Sequence, residues 1–230
     1  MPEGPEIWIL SEAINKFYHI EKTKAYGKHL FVSPDNFGST FSKSGCGENW
    51  SFGLTGTVQI VDDDNELIKR NTCWIYGDQV PFDNFDEETQ KLGTNWLTSS
   101  AADLHKIVDS WIKSKKKLAG LILDQTKISG IGVAWGSEIL FKADLRPDVR
   151  ACDSFLNKLV DSMINIRKKI QDTYSLELNR TLEVCKISNN DTKLRELINC
   201  WFENLYERRE MNIYKKVSKL QVLGRSWWVI

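Results

Sequence analysis

The feature that most constrains this chain is a change of period near Ala101. Before it, the runs KTKAYGKHLFVS, ENWSFGLTGTVQIVDD (alternating around Trp50, Phe52 and Val58) and ELIKRNTCWIYGDQ are separated by the turn-forming SPDNFGS, KSGCG and DDDN. That is the pattern of short antiparallel strands. After it, AADLHKIVDSWIKSKKKLAGLILDQ, SEILFKADL, SFLNKLVDSMINIRKKIQDTYSLELNR and DTKLRELINCWFENLYERRE space their apolar residues as helices do. Ahead of the strands, Ile7, Leu10, Ile14 and Phe17 predict an amphipathic N-terminal helix. Residues 83–100 read as a linker with one helical turn, and KKVSKLQVLGRSWWVI as a hairpin. Strands and helices in separate blocks indicate an α+β protein: an antiparallel β-sandwich flanked by the N-terminal helix over 1–97, a helical domain over 98–210, and a C-terminal hairpin over 211–230. No internal repeat is present.

Charge divides the chain in the same way. The first 112 residues hold 9 Lys+Arg against 17 Asp+Glu, a net of −8, and the remainder holds 22 against 14, a net of +8. The second half is therefore attractive to polyanions, unless these charges are simply solvated. Cys46, Cys73, Cys152, Cys185 and Cys200 are odd in number and never form C-x-x-C, against both a disulfide framework and a cysteine-built zinc site. No run approaches the length of a membrane span, and Glu3 and Glu6 stand where a signal peptide needs a cationic, then apolar, segment. An intracellular protein without a membrane partner is expected.

Two stretches carry chemistry. In MPEGPEI, removal of Met1 would turn the Pro2 nitrogen into a secondary amine able to attack an aldehyde-level carbon, with Glu3 within reach to move protons. A proline here also simply starts a helix. In LILDQTKISGIGVAWGSEILFKADLRPD, Gly130 and Gly132 let backbone N–H groups approach an anion at the start of a helix carrying Glu138. A tight connection between packed helices fits the same spacing.

Together, MPEGPEI and LDQTKISGIG..SEIL resemble the formamidopyrimidine-DNA glycosylase and endonuclease VIII family. Its members begin with Pro-Glu and bind DNA through a helix-two-turn-helix motif. In matching order, YGKHLF resembles the family's G-K-x-L strand and WSFGLTG the segment that fills the gap left by an extruded base. KLGTNWL resembles its LG-x-x-L linker and VLGRSWW the arginine-bearing tip of its C-terminal finger. The resemblance spans nearly the whole chain, and WSFGLTG and GRSWW look closest to the endonuclease VIII-like branch.

The resemblance implies a DNA repair glycosylase with abasic-site lyase activity. Such an enzyme rotates an oxidised base, on this branch a pyrimidine, out of the stack. Pro2 would attack C1′ to form a Schiff base that leads to β/δ-elimination, and Glu3 would protonate the opening sugar. Lys28 would contact phosphate beside the lesion, and Glu6 and Glu138 would support the site. Leu54 would wedge into the vacated stack, unless it is an ordinary core leucine. Lys127, Gly130 and Gly132 would clamp phosphates through the turn's N–H groups, and Arg225 would hold a flanking phosphate bidentately. The implied partner is damaged DNA, bound by a monomer.

Three departures stand out. The finger lacks cysteine pairs, so no zinc or other cofactor is expected and Trp227 and Trp228 must hold it by packing. Val133 replaces the asparagine of the family's GIGN. The interval from MPEG to YGKHLF is short for the family, implying a trimmed sandwich. These leave two alternatives: a non-catalytic protein of the same fold that recognises abasic or single-stranded DNA, and a lyase that excises no base.

Overall fold

The computed structural model describes residues 3–18, 23–32, 47–51, 79–82, 85–188 and 218–229. Helix α1 (Gly4–Tyr18) leads into a four-stranded antiparallel sheet of β1 (Thr23–Tyr26), β2 (His29–Val32), β3 (Gly47–Ser51) and β4 (Gln79–Phe82), paired in chain order. Its register places Leu30 opposite both Ala25 and Trp50. The described strands before residue 83 form this one sheet; Phe52, Val58 and the ELIKRNTCWIY run lie outside the described residues.

Helix α1 docks on β1 through polar contacts. The Asn15 side chain behaves like a strand neighbour of Thr23, donating Nδ2 to its carbonyl at 2.7 Å and accepting its N–H at 2.8 Å. Ser11 and Thr23 hydroxyls pair at 2.9 Å, both buried. Of the expected apolar face, Ile7 is fully buried, whereas the side chains of Leu10, Ile14 and Phe17 lie outside those described. Phe31 on β2 meets Phe85 edge to face at 4.9 Å, which ties the sheet to the short helix α2 (Phe85–Gln90).

The segment after α2 is core rather than a solvent-exposed linker. Strand β5 (Thr94–Asn95) pairs in parallel with β6 (Ile128–Ser129), and Trp96 and Leu97 are buried. Packing decides this, because two aromatic and aliphatic side chains in a polar stretch have the helical core within reach. Helix α3 (Ala101–Ile112) starts at a reciprocal cap in which Ser100 Oγ accepts the Asp103 N–H at 3.1 Å and donates to the Asp103 carboxylate at 2.6 Å. That hydroxyl holds the Asp103 carboxyl below its ordinary value. Leu104, Val108 and Trp111 form its buried stripe.

The run predicted as one helix from Ala101 to Gln125 breaks after Ile112. Helix α4 (Leu118–Ile122) begins where Leu118 and Ala119 N–H groups donate to the Val149 and Pro147 carbonyls, so backbone pairing across the chain replaces helix across the lysine run 115–117. Helix α5 (Val133–Lys142) and the 33-residue α6 (Leu156–Ser188) follow, joined through a 3₁₀ turn at Asp153–Phe155. Helix α6 buries Leu159, Val160, Met163, Ile166 and Ile170. From it Arg167 donates to the carbonyls of Trp96 and Ser99, and Gln171 to that of Leu97; burial lowers the Arg167 guanidinium below its ordinary pKa.

The hairpin of β7 (Ser218–Val222) and β8 (Arg225–Val229) packs on α5 and adds Val222 and Trp227 to the same core. It has aromatic packing where a metal-bound finger has ligands: residues 211–230 contain neither cysteine nor histidine, so they offer no donor set for zinc. The described cysteine side chain is the half-buried, free Cys152. Among the described residues, no helix is long and apolar enough to cross a membrane.

Candidate functional site

Three glycine-bearing motifs that lie far apart in sequence meet at one buried junction. Gly4 donates its N–H to the Gly130 carbonyl at 2.7 Å, and a Cβ on Gly4 would lie 2.8 Å from that oxygen and 3.2 Å from the Gly27 carbonyl. Gly130 has φ +94°, a conformation that side chains other than glycine's rarely adopt, and its α-carbon faces the Trp96 ring and Gly27. MPEG, YGKHLF and ISGIG are thus in backbone contact, closer than any side chain at these positions would allow.

Glu3 completes the junction. Its carboxylate accepts the N–H groups of Gly132 at 2.8 Å, Ala134 at 3.1 Å and Trp135 at 3.1 Å, although Glu3 itself is only 4% exposed. These N–H groups belong to the N-terminus of α5, whose N-cap Gly132 has no side chain to satisfy them. A residue 129 positions away therefore supplies the cap, and the positive end of the helix favours the ionised carboxylate. Glu6, fully buried, accepts the Glu3 N–H at 2.9 Å and the Trp135 indole N–H at 3.2 Å. The Glu3 N–H and carboxylate are both held by these bonds.

The expected site residues divide into three groups. Glu3, Glu6 and Gly132 are joined directly, Gly130 joins them through Gly4, Lys28, half-buried, follows Gly27 in the turn that touches Gly130, and Lys127 stands exposed on the same segment as Gly130. Glu138 is buried further along α5, and exposed Arg225 follows the hairpin turn, opposite Val222. Pro2 and Leu54 lie outside the described residues.

Three N–H groups of this segment have partners within the chain. Lys127 N–H goes to the Asp124 carbonyl, Gly130 N–H to Gln125 Oε1 at 3.0 Å, and Gly132 N–H to Glu3. Their hydrogens are already donated within the chain. Of these three residues, Lys127 also presents an exposed side chain. Val133 is half-buried against the helical core.

Gln125 and Trp135 had no assigned part in the sequence reading. Gln125 braces both sides of the turn, accepting from Gly130 and donating to the Ile131 carbonyl at 2.8 Å. An amide beside two glycines, able to donate and accept at once, is the signal that points to it. Asp124 supports the same turn: the Thr126 hydroxyl at 2.6 Å holds its carboxyl below the ordinary value.

Compared with solved structures, the chain matches the Lactococcus lactis formamidopyrimidine-DNA glycosylase bound non-covalently to DNA containing an abasic site. The TM-score is 0.62 over 98% of this chain and 96% of that one, at 15% identity. The chain has the formamidopyrimidine-DNA glycosylase fold. The Thermus thermophilus protein of that name matches with a TM-score of 0.56 over 76% of this chain and 77% of its own, at 17% identity. In sequence, the formamidopyrimidine-DNA glycosylase of Mycoplasma genitalium is 28% identical over 144 residues, which are 62% of this chain and 45% of that protein. The chain thus spans less than half of that relative's length. No protein-family model matches. Within this glycosylase fold, α4, the turns through Gly132, and α5 form the helix-two-turn-helix, and Glu3 and Gly4 link it to the N-terminal segment.

Proposed function

We propose that the protein is a DNA repair glycosylase with abasic-site lyase activity, acting on oxidised bases. The observation that carries this reading is the capping of α5 by Glu3, which holds the segment beginning at residue 3 against the helix-two-turn-helix turn. With Met1 removed, the Pro2 nitrogen attacks C1′ of an extruded nucleotide. The base departs with the electron pair of the glycosidic bond, and the opened sugar remains as an iminium from which β- and δ-elimination break the strand. Because three N–H groups favour its anion, Glu3 serves first to position Pro2; protonating the sugar oxygen requires it to take up a proton beforehand. Lys28 contacts the phosphate beside the lesion, Lys127 and Arg225 hold phosphates further out, and Leu54 fills the vacated stack. Oxidised pyrimidines are the proposed substrates. One Lactococcus lactis complex of this fold contains an oxidised pyrimidine in its DNA, with a TM-score of 0.62.

Borohydride reduces an iminium to a stable amine, so Met1-free protein mixed with abasic-site duplex and borohydride should yield a covalent protein–DNA adduct on a denaturing gel. Pro2→Gly carrying an N-terminal extension should yield none. Absence of adduct from protein confirmed to begin at Pro2 would overturn the catalytic reading.

Val133 favours a second reading, a non-catalytic binder of abasic or single-stranded DNA, since a half-buried valine offers no hydrogen bond to phosphate. The two readings share the Arg225 contact. Arg225→Ala should weaken binding to all sequences alike and reduce the slope of log K against log salt by about 1, measured by titration at several salt concentrations.

A further inference from the structure

The hairpin tip carries an apolar side chain that core packing does not require. Val222 and Arg225 form its closing pair, which leaves Leu223 and Gly224 as a two-residue loop with φ of +53° and +70°. A loop with positive φ at both positions suits asparagine or glycine; a leucine there is strained. Leu223 is also 66% exposed, ahead of Leu176 at 52% among the described residues. Strain and exposure together at one apolar residue point to a use outside the folding of the hairpin.

The surroundings indicate what that use is. A Cβ built on Gly120 of α4 would lie 3.2 Å from Leu223 Cδ1 and 4.0 Å from Lys116 Cβ, so one edge of the leucine rests on a glycine floor. Exposed Lys116, whose ammonium also reaches the Asp124 carboxylate at 3.5 Å, borders the same floor, exposed Lys117 follows it, and exposed Arg225 stands two residues beyond Leu223. An apolar tip set among cations suits a polyanion that also offers apolar surface, and a nucleic acid does so: phosphates for the cations, sugar and base edges for the leucine.

We propose that Leu223 is a DNA-contact residue that packs against sugar and base edges beside the phosphate held by Arg225, propped in place by Gly120. This rests on the DNA-binding reading above. Leu223→Asn separates contact from folding, because asparagine suits the turn but removes the apolar tip. Binding to a duplex containing a tetrahydrofuran abasic analogue, followed by fluorescence anisotropy at several salt concentrations, should weaken about tenfold. The salt slope should stay at the wild-type value, since no cation is lost, and the melting temperature should hold or rise. Leu223→Met should bind within about twofold of wild type. Leu223→Asn that binds as wild type does, or whose loss of binding comes only with a matching loss of melting temperature, overturns the assignment. If wild-type protein itself fails to bind the duplex, the DNA-binding reading falls and this assignment with it; normal wild-type binding with unchanged Leu223→Asn rejects this assignment alone.

Discussion

Glu3→Ala should destabilise the protein by about 3 kcal/mol, because it strands three N–H groups at the buried N-terminus of α5. At this chain length that is a drop in melting temperature of roughly 6–12 °C, measurable by circular dichroism. Glu3→Gln keeps the volume and one acceptor oxygen, so about half of the loss should return. A Glu3→Ala protein melting within about 2 °C of wild type would show that water caps this helix equally well. The same substitution releases the segment that begins at residue 3. At temperatures where the variant is still folded, its borohydride adduct should form at least about tenfold more slowly, since attack on C1′ depends on a held nucleophile.

Gly93→Ala should be as costly for a different reason, lowering stability by about 3 kcal/mol as a shift in urea midpoint. Its Cβ would fall 2.2 Å from the Lys127 carbonyl carbon and 2.6 Å from the Ile128 nitrogen, and backbone cannot rotate away as a side chain can. Yielding would break the bonds from Gly93 to Gln125 and from Thr94 to Lys127 that hold the helix-two-turn-helix against the Trp96 segment. Gly224→Ala is the control. Nothing lies within 4 Å of a Cβ there, so only the positive φ of +70° costs, about 1 kcal/mol. Equal losses at the two positions would refute the close approach at Gly93.

Features readable in the sequence were those that local periodicity and short-range chemistry decide. The helical spacing of AADLHKIVDSWI is local, and the stripe of Leu104, Val108 and Trp111 that it buries follows from that spacing. The break after Ile112 was not readable, because the carbonyls that receive the Leu118 and Ala119 N–H groups come from residues 147–149. Trp96 looked like part of a linker because its neighbours are polar; its burial depends on α6, where Arg167 and Gln171 bind the surrounding carbonyls.

By itself, the sequence determined the strand-then-helix order, the uneven charge and the residues that make MPEG, YGKHLF, ISGIG and GRSWW recognisable. These depend on residue identity at fixed short intervals. Only the tertiary structure decided how the motifs are used. A glycine records that two backbones approach closely without saying which, and a carboxylate accepts whichever N–H groups packing brings to it. Gly4 therefore met Gly130, and Glu3 took the amides at the start of α5.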